Sequence, residues 1–351
     1  MLQGLNIQNL AAKIAANQEL KRDFVADTRK TRLSWRAPEA NEKGVVELEL
    51  EDHGSFLVRP LAHDQIGAYT GVPSKYYDRM LAEEPVLLAR NVNTWLERQA
   101  EPRMVRTLAG DARAFLSNRY NRIENEEIAA VAFPVLARLP DVRIVSSEVT
   151  ERRLYIQFVV PGVEGEVKKG DVVQAGGVIS NSEVGCGSVS VCGLIWRLVC
   201  LNGMKTQDAL RRYHVGREVE EGALGWADDT RRADDRAVLL KVRDMVSAVV
   251  DQTRFQANLA KMRQLTMVEA KDPVKAVEVL SAKVGATEAE KNGILSALIK
   301  GADLSAWGLL NAVTAQAHTA GSYDRAVEFE GMGGQLLELG RSEWREVLEA
   351  A

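Results

Sequence analysis

GVISNSEVGCGSVSVCGLIWRLVCLNGM, residues Gly177 to Met204, reads as a hairpin, and the rest of the chain is organised around it. Val178 and Ile179 end one extended run. Asn181 to Gly187 is rich in turn formers, and Ser188 to Cys200 alternates small, polar and β-branched residues as a half-buried strand does. Gly185 and Gly187 flank Cys186, so this turn is free to use positive φ angles or to approach another group closely. The returning strand sets Trp196 and Arg197 side by side on opposite faces, before Leu201-Asn202-Gly203 closes the element. An aromatic ring and a guanidinium at a strand end suit a polyanion, and they suit an ordinary packed sheet equally well.

Further strands precede the hairpin. Val45 to Leu50 and Ser55 to Val58 alternate around Asp52-His53-Gly54. A second hairpin is expected from Met104 to Leu116, across Gly110-Asp111. Arg143 to Thr150 and Arg153 to Val160 make two more strands, and a charged loop from Glu164 to Asp171 leads into the opening stretch. Helical spacing is expected over residues 1–30, in two pieces around Gly71-Val72-Pro73 with Ser74 as a cap, from Pro85 to Leu96, and from Asn125, as cap, to Leu139. Strands that cluster instead of alternating with helices point to an α+β protein with a central antiparallel sheet, N-terminal helices and a largely helical C-terminal half. The expected division is 1–100, 101–217 and 218–351.

In that last part Arg231 to Met267 reads as one helix about 50 Å long. Its stripe of Val238, Val242, Met245, Val249, Leu259 and Met262 is expected to serve a subunit interface as well as the core. Asp272-Pro273 starts a new helix and Thr287 with Glu290 forms a capping box. Ser305 to His318 and Met332 to Leu348 supply two more helices.

With 351 residues, 46% of them hydrophobic, the chain can bury an ordinary core. No apolar run approaches the roughly 20 residues of a membrane span, and MLQGLNIQNLAAKIAANQEL lacks the basic start and apolar block of a signal peptide, so a cytoplasmic protein without membrane partners is expected. Cys186, Cys192 and Cys200 have no Cys-x-x-Cys spacing and no nearby histidine, and they read as small buried side chains. The net charge of −4 argues against a generic nucleic-acid coat. Yet residues 101–217 carry 16 Lys and Arg against 13 Asp and Glu, leaving 29 against 36 elsewhere, so the middle is locally basic.

Four blocks carry a resemblance: Gly71 to Tyr77 (GVPSKYY) with Asn91 to Leu96 (NVNTWL), Phe115 to Tyr120 (FLSNRY), Ile179 to Ser182 continuing through Arg197 to Gly203, and Ala306 to Thr314 (AWGLLNAVT). Together they resemble the phage/plasmid-like proteins of domain of unknown function 932, over most of the chain. The sequence departs from that pattern at Glu183-Val184-Gly185-Cys186-Gly187, where a His-Asp-like pair is expected, and no role of that pair carries over. The mobile-element setting and the strand-rich middle look similar to single-strand annealing proteins, which form rings and hold DNA along a basic groove. The resemblance thus implies a homo-oligomer that binds single-stranded DNA in recombination or replication without turnover.

Residue types agree in part. No G-x-S-x-G is present, the four histidines are scattered, and Gly185-Cys186-Gly187 opens a strand, so it offers no helix N-terminus to a phosphate. No metal or other cofactor is expected. Asp111, Glu148, Glu151 and Asp171 suit a nuclease by residue type only. Phosphate-reaching cations near rings do occur: Arg119, Tyr120 and Arg122; Arg152, Arg153 and Tyr155; Lys168 and Lys169; Trp196 and Arg197; Arg211 and Arg212 with Tyr213. With Arg106, Arg113 and Lys205 these form the candidate DNA-binding set. The alternatives are an accessory protein that binds a host protein to counter a defence, and a metal-dependent nuclease.

Overall fold

The computed structural model describes residues 2, 4–37, 44–120, 122–206 and 228–349. The chain is α+β, with antiparallel sheets, an N-terminal helix and a helical C-terminal half. The first part runs α1 (Ile7–Leu20), β1 (Lys21–Asp27), β2 (Thr31–Arg36), β3 (Val45–Leu50), β4 (Gly54–Val58), α2 (Pro60–Thr70), α3 (Ser74–Glu83), α4 (Pro85–Arg98), β5 (Pro102–Leu108) and β6 (Asp111–Ser117). Its strands form a six-stranded sheet of order β1-β5-β6-β4-β3-β2, antiparallel except where β4 meets β6. α5 (Asn125–Leu136) then leads to a second sheet, fully antiparallel and of order β11-β10-β9-β8-β7, built from β7 (Arg143–Val149), β8 (Leu154–Lys168), β9 (Asp171–Asn181), β10 (Ser190–Arg197) and β11 (Asn202–Lys205). The opening stretch is therefore the β9–β10 hairpin with β11 folded back on it. The single central sheet expected from sequence is two.

Helices close both sheets. α2, α3 and α4 lie on the first, burying Leu48, Ile66, Leu88, Val92, Leu96 and Phe115 together. In the second, Ile156, Phe158, Ile179 and Val191 pack with α1, α5 and α6 (Asp228–Ala248). α7 (Gln252–Leu265) continues along the sheet over Val167, Val173 and Ala175. There it joins α8 (Pro273–Val284), α9 (Glu288–Gly301), α10 (Ala306–Ala315), α11 (Tyr323–Leu337) and α12 (Arg341–Leu348) in one apolar cluster around Trp307 and Phe329. No helix among the described residues is long and apolar enough to cross a membrane.

Several boundaries differ from the sequence reading, each for a local reason. The first helix stops at Leu20 because Lys21 to Asp27 pair in register with Leu108 to Pro102. Pro73, not Ser74, sits at the N-cap of α3. Glu124 precedes α5 and takes the capping position, its own N–H bonded to Glu127 at 2.9 Å, while Asn125 N–H is taken by Glu183. Glu164 to Lys168 is strand, not loop, because it pairs with Gln174 to Asp171. The helix expected from Arg231 to Met267 breaks at 249–251, where Asp251 caps α7 by accepting from Arg254 N–H at 2.8 Å. Its stripe is divided between two cores, Val238, Val242 and Val249 in one and Leu259 and Met262 in the other, so those residues are spent internally. The last helix is two, separated at 338–340. The Thr287–Glu290 capping box is as expected, and Asp272 and Ser305 prove to be the N-caps of α8 and α10.

Candidate nucleic-acid interface

Where the first sheet meets the β7–β8 turn, a cleft of about 370 Å³ is lined by Lys13 of α1, Arg59, Arg113 of β6, Arg152 and Arg153. Each cation is set by its element. Arg59 precedes the Pro60 that opens α2, and its guanidinium donates to Asp111 at 3.0 Å and to Leu108 O. Lys13 donates to Glu148 at 2.7 Å and to Val149 O. In the turn, Thr150 Oγ1 accepts from the N–H groups of Arg152 and Arg153, a tight geometry that turns Arg152 outward with its side chain 52% exposed. Glu151 is placed with one oxygen 3.4 Å from Leu61 N, at the N-terminal end of α2.

Glu183 forms the base of the cleft. It lies in the segment that departs from the family-like pattern, and it is buried. One oxygen accepts from Asn125 N–H at 2.7 Å and from Lys21 Nζ, and the other from Arg113 Nη1 at 2.9 Å. Burial pushes its carboxyl up, but Lys21 and Arg113 outweigh this and hold it at about 2. Arg113 is itself buried, and among the described residues its Nε and Nη2 have no acceptor. Gly187 supplies a second necessity. Its φ is +130°, and a Cβ there would collide with the Arg153 guanidinium, which donates to Cys186 O through Nη2.

Arg153 also lines a second cleft of about 700 Å³, between the β8–β11 face and α11, with Lys205 and Lys283. Seven cations therefore line two adjoining clefts. Arg113, Arg152, Arg153 and Lys205 come from the sequence-derived set; Lys13, Arg59 and Lys283 were missed. Arg59 immediately before a helix-opening proline was the one local signal available for them.

Other members of the set lie elsewhere. Arg106 is interior, bonded to Asp23 at 2.8 Å, to Glu183 O at 2.6 Å and to Glu124, so it ties β5 to the base of the cleft and presents nothing to a ligand. Arg122 pairs with Asp23 and Glu124 from the surface. Tyr120 is half-buried, donating to Ser182 O and accepting from Gly185 N–H, and so braces the same loop. Arg119 is exposed beside it. Lys168 pairs with Asp303 at 2.6 Å and Lys169 is exposed at the β8–β9 turn. β8 bulges, and its partner β9 covers the same span from Asn181 to Asp171, so that turn lies roughly 35 Å from Arg153 at the rise of a strand, too far to share a contact. Trp196 is packed against Val159, Val178 and Leu194, with no face left for a base. Arg197 is held by Asp171 at 2.6 and 2.8 Å, and the same carboxylate accepts from Trp307 Nε1 at 2.9 Å. It lies over the Trp307 ring, a buried brace where a phosphate contact had been expected. Arg211 and Arg212 fall outside the described residues.

The four carboxylates that suited a nuclease do not converge. Asp111, Glu148 and Asp171 are each held by a different cation, and among the described residues no group of three His, Cys, Asp or Glu is placed to hold a metal. Cys186, Cys192 and Cys200 are free thiols, half-buried and not fully buried as expected. No protein-family model matches the chain, and the comparisons with curated proteins and with solved structures give no match either.

Proposed function

We propose that this chain is a single-stranded DNA-binding protein of a phage, prophage or plasmid, cytoplasmic and homo-oligomeric, that assists annealing or replication without turnover. The observation that carries the DNA-binding reading is the gathering of five cations, Lys13, Arg59, Arg113, Arg152 and Arg153, along one cleft, with the Arg152 side chain 52% exposed. Phosphate oxygens are the acceptors that an exposed guanidinium fork suits best. Recognition led by phosphate also fits the burial of Trp196, since binding then needs no stacking platform there. The block-by-block resemblance to phage/plasmid-like proteins supports the biological setting.

Fluorescence anisotropy of a labelled single-stranded oligonucleotide, titrated at several salt concentrations, tests the reading. Arg152 is exposed and its pair with Asp64 is long at 3.4 Å, so Arg152→Ala leaves stability nearly unchanged. The variant is expected to bind more weakly, with a salt slope smaller in magnitude by roughly 0.7. Affinity that ignores salt, or an unaltered slope in Arg152→Ala and Arg59→Ala alike, refutes it. The mass of the protein in solution, with and without the oligonucleotide, tests self-association.

A further inference from the structure

We propose that the larger cleft is a separate binding site for a phosphate monoester of nucleotide size, seated on Lys205. The site is built by close approach of α11 to β11. A Cβ on Gly334 would collide with Lys205 O, and one on Gly331 would lie 3.3 Å from Lys205 Cε. Glycines at these two positions let the helix press onto the strand, and the Lys205 side chain runs out beneath it into the cleft. Among the described residues its ammonium makes no hydrogen bond and no ion pair, although burial lowers its pKa and so disfavours the charge. Glu330, fully buried and accepting from Gln157 at 2.7 Å, attracts this ammonium but forms no direct ion pair with it.

The other charged groups in the cleft are already engaged. Asp324 accepts from Tyr155 Oη at 2.8 Å and from Thr150 Oγ1 at 3.1 Å, and Glu328 pairs with Arg325 at 2.7 Å. Arg153 adds positive charge to the wall, while Lys283 is paired with Glu346 at 2.9 Å. Ser180 and Ser190 share one hydrogen bond of 2.8 Å, which leaves one of the two O–H groups to donate to a ligand. An oxyanion in this cleft finds an ammonium, a guanidinium and a hydroxyl donor among the groups that line it. The volume of about 700 Å³ leaves room for the rest of a nucleotide-sized ester. This site does not depend on the DNA-binding reading, since its ligand is either a free phosphorylated compound or the terminal phosphate of a strand.

The test is calorimetric titration of the full chain with inorganic phosphate and with a nucleoside monophosphate, at matched ionic strength in chloride. Saturable binding is expected, weakened at least tenfold in Lys205→Met and unchanged in Lys271→Ala, whose side chain is exposed and lines neither cleft. Acetylation of the unmodified protein, read by mass spectrometry, gives a measurement that needs no variant: either phosphate compound should protect Lys205 and leave surface lysines as reactive as before. Absence of saturable binding, equal binding by Lys205→Met, or unprotected Lys205 overturns the proposal. Oligonucleotides with and without a 5′-phosphate then separate the two sources. A preference for the phosphorylated strand that Lys205→Met abolishes assigns the site to strand ends. Equal binding of both strands, with nucleoside monophosphate binding retained, assigns it to a free compound.

Discussion

Replacing Glu330 with glutamine should make the protein more stable at neutral and alkaline pH. Glu330 lies on α11 with no exposed surface, and Gln157 Nε2 donates to one of its oxygens at 2.7 Å. Its Oε1, like Gln157 Oε1, is a buried acceptor without a partner. Burial raises the carboxyl to about 7, against an attraction from Lys205 that lowers it. The displacement from the ordinary value of 4.5 corresponds to about 3 kcal/mol. Because the folded-state value is raised, the native protein holds the proton more tightly than the unfolded chain does. Between pH 4.5 and 7 the native state therefore binds more protons, and stability falls as pH rises through that window. Above about pH 7 the full penalty is present. Glutamine has the same shape, keeps the Gln157 contact and carries no titrating proton. Urea unfolding of parent and Glu330→Gln, followed by tryptophan fluorescence across pH 4 to 8, should show a difference near zero at the acid end that grows to about 3 kcal/mol in favour of the variant at the alkaline end. A difference independent of pH, or a variant less stable than the parent at pH 8, would refute the reasoning. It would mean that the carboxylate is ionised and adequately solvated in the fold.

Other outcomes follow from the same contacts. Glu183 behaves in the opposite sense: its carboxyl is held at about 2, so its contribution of about 3 kcal/mol is present above pH 4.5 and is lost as pH falls through 2, and acid unfolding curves of Glu183→Gln should lack that component. Arg197→Ala leaves Asp171 buried without its cation and should lower stability by roughly 3–5 kcal/mol in denaturant melts while leaving oligonucleotide affinity of the folded protein unchanged. Gly187→Ala forces a side chain into a φ of +130° and onto the Arg153 guanidinium; thermal melting should show a loss of about 2 kcal/mol, accompanied by weaker oligonucleotide binding.

Local chemistry was legible from the sequence wherever a few neighbouring residues decide the outcome. The hairpins, the Thr287–Glu290 capping box, and the positive φ angles of Gly185 and Gly187 follow from alternation, side-chain oxygens at a helix start and the missing Cβ of glycine. The α+β class followed too, because clustered strands and a helical tail leave few other arrangements. Partnership across long separations was not legible. Whether a cation is a tool or a strut depends on which carboxylate the fold brings to it: Arg106 meets Asp23 only once β5 pairs with β1, and Arg197 meets Asp171 only once β10 pairs with β9. Trp196 and Arg197 had equal claims to be exposed until burial among Val159, Val178 and Leu194 and stacking on Trp307 decided the matter. The break at 249–251 was hidden because the apolar spacing runs straight through it; only packing shows that its two halves serve different cores. The cleft itself unites residues 13, 59, 113, 152, 153 and 183, which no window of sequence contains. Tertiary structure alone gathered them, since loop closure brings together groups whose separation along the chain carries no local signal.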